Sequence, residues 1–271
     1  MAKTREIKPA TFTEYVKTIE ELHAAQDEQL WFRGVGNSAH QLLPSLYRHK
    51  TLKSAAQIAA LETETMARFR QRSIPFTDRS LVDDWDALFF MQHHRVPTRL
   101  LDWSENPFVA FYFAAMSARF TVSSTGVQRF AGAAAIWILN PVKWNQKSLE
   151  HITFDGGVLG TTDNELKPYQ PTSSFAGMNK HPVALYGAHN SSRIVAQRGV
   201  FTIFGQELKS MDEVYDISKF PKDCLTKIIL KKAVLPSMRK SILAYGITES
   251  VIYPDLDGLA SEMRRVFGFE G

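Results

Sequence analysis

The chain has 271 residues, 44% of them hydrophobic and 22% charged, a balance that excludes a disordered or collagenous chain and allows a sizeable buried core. Its longest uncharged runs, 106–118 and 130–142, are about 13 residues against the roughly 18 a membrane helix needs, and the polar start Met1–Lys8 lacks the apolar centre of a signal peptide. Lys and Arg (32) outnumber Asp and Glu (28) for a net charge of +4, which suits a phosphate-bearing partner, while the single cysteine, Cys224, excludes an internal disulfide framework and a Cys-based zinc site and makes a reduced, cytoplasmic setting the expectation.

In chain order, Thr11 or Thr13 caps a helix carrying Phe12, Tyr15, Val16, Ile19 and Leu22 on one face. Gln29–Gly34 reads as a strand ending at a Gly turn. Ser54 opens a second helix to about Arg72, striped by Ile58, Leu61, Met66 and Phe69. Ser80, with Asp83 three residues on, resembles a capping box for a helix from Leu81 to about His94, which Pro97 stops. Thr98–Trp103 is a strand. Pro107 sits at the first helical position of an apolar helix continuing through Phe108–Phe120. Beyond it, Ala133–Leu139, Pro182–Tyr186, Arg193–Ala196, Gly199–Phe204 and Leu225–Lys231 are short and β-prone. Pro236 opens a helix to Tyr245, ended by Gly246, and Asp255 or Asp257 caps a last helix through Phe267. The aperiodic stretch Lys147–His181 is long enough to predict a functional or mobile loop. With no repeat and no linker, the expected class is α+β in one domain, residues 1–271: an N-terminal helical extension (1–28), a core (29–235) and C-terminal helices (236–271).

Three polar constellations stand out. In Trp31-Phe32-Arg33-Gly34-Val35-Gly36, an Arg at the end of a buried strand keeps its charge and needs an anion or carbonyls beside it. It is aimed either at a ligand phosphate or carboxylate, with Trp31 or Phe32 as a stacking face, or at an internal Asp or Glu. Gly34 lets a ligand approach the backbone. The second runs from His93 to Pro107. His93 and His94 turn apart by about 100° on a helix, so no shared metal is expected. Asp102 and Glu105 are either N-caps, in competition with Asn106, or carboxylates acting on a ligand at a helix start. In the third, Arg193–Phe204, Gln197 is either a neutral hydrogen-bonder at a strand end or a turn residue. Phosphate-loop, dinucleotide-fold and nucleophile-elbow motifs are absent. Cys224 reads as a half-buried structural thiol, with a nucleophile as the alternative.

Together these residues resemble the FRG domain family, named for its Phe-Arg-Gly signature. The resemblance rests on Trp31-Phe32-Arg33-Gly34, Leu42–Arg48, Met91-Gln92-His93-His94, Pro97–Trp103, Asn106-Pro107, Ala110, Tyr112-Phe113-Ala114, Gln197–Phe201 and Pro254–Leu259. More remotely, Phe32-Arg33-Gly34, Ser104 followed by Pro107, Val109-Ala110 and Phe113, and then Ile194–Phe201, resemble in order the elements of ADP-ribosyltransferases of the Arg–Ser–Glu type. That resemblance implies a mixed-sheet core and NAD as substrate, with no metal. Arg33 would meet the pyrophosphate, the Gly34 backbone the nicotinamide amide, and Trp31, Phe32 or Trp103 the ring. Thr98, Arg99 and Ser104 complete the implied cofactor contacts. Gln197 stands where the catalytic Glu is expected, which passes the charge-bearing role to Asp102 or Glu105. It further implies a toxin or anti-phage effector that modifies a macromolecule, with an antitoxin or chaperone partner, while the basic balance of charge favours a nucleic-acid acceptor over an acidic protein and the short apolar runs predict no membrane. The alternatives are a non-catalytic nucleotide- or nucleic-acid-binding module and, behind it, a hydrolase of a phosphorylated ligand.

Overall fold

The computed structural model describes residues 4–25, 29–52, 54–78, 80–171, 173, 175–188 and 191–269. Its elements, in chain order, are β1 (Arg5–Ile7), α1 (Phe12–Ala24), β2 (Trp31–Val35), α2 (Ala55–Ser73), α3 (Asp84–His93), β3 (Leu100–Ser104), α4 (Pro107–Met116), β4 (Phe120–Val122), β5 (Gln128–Phe130), β6 (Ala134–Leu139), α5 (Pro141–Ser148), β7 (Val183–Leu185), α6 (Ser192–Gln197), β8 (Gly199–Ile203), α7 (Met211–Ile217), β9 (Leu225–Leu230), α8 (Leu235–Ala244), α9 (Glu249–Ile252) and α10 (Leu256–Val266). The class is α+β.

Side-chain caps set most helix starts. Thr11, Ser54, Asn106 and Asp255 accept backbone N–H groups one to two residues into α1, α2, α4 and α10, and Ser54 forms a full capping box with Gln57. α3 starts later than the sequence suggests, because Asp83 rather than Ser80 is its cap. α4 ends at Met116, and Phe120 instead opens a hairpin with β5. Arg193–Ala196 is helix, not strand: the Ser191 hydroxyl caps it, and Arg198 closes it in the left-handed conformation at φ 46°. Among the described residues of 147–181, three 3-10 turns lie at Glu150–Ile152, Asn164–Tyr169 and Phe175–Gly177, and Leu149, Leu159, Leu166, Tyr169 and Met178 are buried.

Seven strands form one mixed sheet in the order β1-β9-β6-β2-β3-β8-β7, parallel only between β1 and β9. Strand alternation separates two cores. Phe32, Ile136, Ile138 and Ile228 face α1, α4 and α8, whereas Trp31, Trp137, Leu139 and Leu225 face α7 and the 42–47 segment. A third cluster packs Leu100, Phe201 and Ile203 against α3. One junction positions the site. β2 pairs with β6 through five residues and β3 with β8 through five, but β2 and β3 meet only at Phe32 and Ser104. The two halves of the sheet therefore part beyond that pair.

Among the described residues, no helix is long and apolar enough to cross a membrane.

Candidate functional site

A cavity of about 470 Å³ opens where β2 and β3 part. Phe32, Arg33 and Gly34 of β2 form one wall and Leu100–Ser104 of β3 the other, with Val109, Ala110 and Phe113 of α4 beneath. Gln92 and His93 of α3, Arg193 and Gln197 of α6, Arg48 and Arg95 complete it. Arg33, Asp102 and Gln197, from three distant stretches of chain, thus border one hollow.

The hollow is cationic. Its described lining includes four arginines (33, 48, 95 and 193) and one carboxylate, Asp102. Arg33 keeps 23% of its side chain exposed, and its Nη1 donates to the Asp102 carbonyl oxygen at 2.5 Å and lies 3.8 Å from Asp102 Oδ2. Burial pulls its guanidinium below the ordinary value, Asp102 opposes that and Arg48 adds to it. Arg33 is therefore only loosely matched by an internal carboxylate and holds positive charge in a partly dry site, the condition under which an anion is attracted most. Arg193 lies over the Tyr253 ring, 4.8 Å from its centroid.

Asp102 is 57% exposed and is oriented by a chain of two hydrogen bonds. The Thr98 hydroxyl donates to Gln92 Oε1 at 2.5 Å, and Gln92 Nε2 donates to Asp102 Oδ2 at 2.9 Å. Thr98 fixes which way the Gln92 amide faces. Gln92 sits in a motif read for resemblance but was not among the candidates. Its signal is positional, a polar residue next to the last of a mostly buried α3.

The remaining candidates divide by strand parity and capping. Phe32 and Gly34 line the hollow, but Gly34 has a second duty: a Cβ there would fall 1.8 Å from the Ala110 carbonyl oxygen, so it permits α4 to lie on β2. Trp31 points to the opposite face and is fully buried among the second core, so it offers no stacking surface. Trp103 borders the hollow, but its indole is buried and its N–H donates to Thr202 Oγ1 at 3.1 Å. Half-buried Phe113 is the better stacking face. Ser104 lines the site, with its hydroxyl donating to the Gln197 carbonyl at 2.6 Å and accepting from the Asn106 N–H at 2.9 Å.

Thr98, Arg99 and Glu105 do not line the hollow. Arg99 is 1% exposed and clamps the core. Its Nε donates to Glu62 Oε2 at 2.7 Å, and its two Nη groups reach the Phe204 and Tyr169 carbonyls at 2.9 and 2.8 Å. Burial opposes its charge, but Glu62 and then Tyr47 outweigh it and hold the guanidinium above its ordinary value. Glu105 accepts from Gln29 Nε2 and faces Arg198 at 4.0 Å, away from the site. Asn106, not Asp102 or Glu105, caps α4. Gln197 closes α6 rather than a strand, and its Nε2 donates to the Ile252 carbonyl at 3.0 Å. His93 and His94 do not diverge: α3 ends at His93, and the two rings meet edge to face at 4.8 Å. Cys224 is wholly buried in the second core. Among the described residues, no group of three or more His, Cys, Asp or Glu is placed to hold a metal.

The chain is thus an α+β protein with a split mixed sheet and an arginine-lined cleft at the split. Residues 28–121 match the model of the FRG domain, so this segment is similar to the FRG domain family. The match contains β2, α3, β3 and α4, hence Arg33, Gln92 and Asp102, while Arg193 and Gln197 lie outside it. No curated protein and no solved structure matches the chain.

Proposed function

We propose that the hollow binds NAD and that the chain transfers ADP-ribose from it to a nucleic-acid acceptor, releasing nicotinamide and a proton. The observation that carries this reading is the convergence of Arg33, Asp102 and Gln197 on one cationic cleft of about 470 Å³. Arg33 takes the pyrophosphate, and Phe113 offers a face to the nicotinamide. Breaking the nicotinamide–ribose bond builds positive charge on the sugar, which a preoriented carboxylate stabilises. Asp102, held by Gln92, is that carboxylate. The Gln197 amide N–H is engaged by Ile252, which leaves its carbonyl oxygen to accept from a ribose hydroxyl. The net charge of +4 favours a phosphate-rich acceptor.

A second reading, a nucleotide-binding module without turnover, is favoured by one observation: Gln197 stands where the resembling transferases carry a glutamate, and an amide neither supplies charge nor accepts a proton. Incubating the chain with labelled NAD and single-stranded RNA or DNA separates the two. Label on the nucleic acid, lost in Arg33→Ala, is the expected result. Binding of NAD with no transfer establishes the module, and absence of NAD binding overturns both.

A further inference from the structure

Arg95 occupies a backbone position that favours glycine. α3 ends in a paired C-terminal motif: the Arg95 N–H donates to the Gln92 carbonyl at 3.0 Å, and the Val96 N–H to the Met91 carbonyl at 2.9 Å. Val96 packs on the cluster containing Met91. In this arrangement the residue after the cap is left-handed, and Arg95 has φ 61°. Glycine adopts that conformation without strain, whereas a side chain there is kept against the local preference. The side chain at issue lines the hollow and is exposed, as is that of Arg48 from the Leu46–Arg48 turn. Neither arginine pairs with a carboxylate among the described residues. Arg33 lies deeper, at 23% exposure. The cations therefore differ in depth: Arg33 lies inside the cleft, Arg193 is half-buried over Tyr253, and Arg48 and Arg95 are exposed.

We infer that Arg48 and Arg95 form a separate anion subsite at the mouth of the hollow, which holds a backbone phosphate of a single-stranded nucleic acid. This rests on the nucleic-acid acceptor of the reading above and adds where that acceptor is gripped. An exposed guanidinium at the rim is reached from solvent by the second substrate, whereas the interior position suits the small dinucleotide. Planar guanidinium groups match phosphate oxygens two at a time, and such contacts hold a strand without reading its bases.

The test uses the full chain, a fluorescein-labelled oligouridylate of about 12 nucleotides followed by anisotropy, and NAD followed by calorimetry. Arg95→Gly is expected to raise the thermal midpoint by about 2 °C, since the strained residue is relieved. It is expected to weaken oligonucleotide binding about tenfold and to reduce the log–log salt slope by about 0.7. NAD affinity is expected to change less than about threefold in Arg95→Gly, because the exposed Arg95 charge is screened by solvent. A residue with only a structural role would lower stability and binding together. Arg95→Asn, which tolerates the left-handed backbone, and Arg48→Gln are expected to weaken the oligonucleotide in the same direction. Unchanged oligonucleotide affinity in all three variants overturns the inference, as does a wild-type chain that binds no oligonucleotide. An equal loss for NAD overturns it too, because the phosphate would then be the dinucleotide's own. If the wild-type chain binds no NAD but the oligonucleotide effects hold, the subsite stands and only the function proposed above falls.

Discussion

Gly34→Ala is predicted to damage the fold itself, with or without a ligand. A methyl group on Gly34 would lie 1.8 Å from the Ala110 carbonyl oxygen, 2.6 Å from the Ala114 nitrogen and 2.9 Å from the Ala110 carbonyl carbon. All three are backbone atoms of α4, so no side-chain rotation relieves the overlap, and the helix must move off β2. Overpacking of a core commonly costs 1–3 kcal/mol, and a purely backbone collision belongs at the upper end, about 3 kcal/mol. For a chain of this size that is a fall in thermal midpoint of roughly 6–12 °C. Gly132→Ala is the control, since a Cβ there meets nothing within 4 Å. Thermal unfolding followed by circular dichroism, with and without NAD, measures both. An unchanged midpoint in Gly34→Ala would refute the packing argument and return Gly34 to a role in ligand approach alone.

Asp102→Asn is predicted to lower the rate of ADP-ribose transfer at least about tenfold while NAD affinity changes less than about threefold, read from single-turnover kinetics and calorimetry. Equal loss of both would make Asp102 a binding residue. Thr98→Val is expected to shift transfer in the same direction by a smaller factor, because the Gln92 amide is then free to turn; an unchanged rate would remove Thr98 from the orienting chain. Glu62→Gln leaves the Arg99 charge buried and uncompensated, and a broken buried pair of this kind costs about 3–5 kcal/mol. Chemical denaturation should register that loss, and a change under about 1 kcal/mol would contradict the clamp. Burial first, and Lys180 second, depress the pKa of His181 below its ordinary 6.5, so below that pH the unfolded chain takes up a proton the folded chain resists. Stability is therefore expected to be complete above about pH 6.5 and to decline as the pH falls below it, a decline that His181→Asn flattens.

Much of the fold was legible where a cap and an apolar stripe coincide, as at Thr11, Ser54 and Asp255. The same signals occur elsewhere. Asn140-Pro141 starts α5 just as Asn106-Pro107 starts α4, and Ser210 with Glu213 is a capping box for α7. Arg193–Ala196 misleads because Ile194 and Val195 carry β propensity, which a six-residue helix with a Ser cap overrides. β1 is three residues long and exists by its parallel pairing with β9, a contact no local pattern encodes.

At the site, Arg33, Phe32, Gly34, Asp102 and Gln197 were reachable from sequence because the first four lie in dense motifs and the fifth at a chain reversal. Trp31 was not separable from them without strand parity: neighbours on β2 face opposite sides, so Trp31 and Phe32 cannot both meet one ligand. Arg33 shares the parity of Trp31, yet its guanidinium reaches Asp102 across the gap where β2 and β3 part. That separation is a tertiary fact. Arg99 resembles a ligand-binding cation in sequence, and only the distant Glu62 and the carbonyls of Phe204 and Tyr169 reveal its structural duty.

The central claim concerns the cleft between β2 and β3, and the structure of an NAD complex tests it most directly. The account predicts a pyrophosphate oxygen within about 3 Å of the Arg33 guanidinium and the nicotinamide-bearing ribose beside Asp102. A dinucleotide bound elsewhere, or one that lies in the cleft with its adenosine end against Asp102, would contradict it.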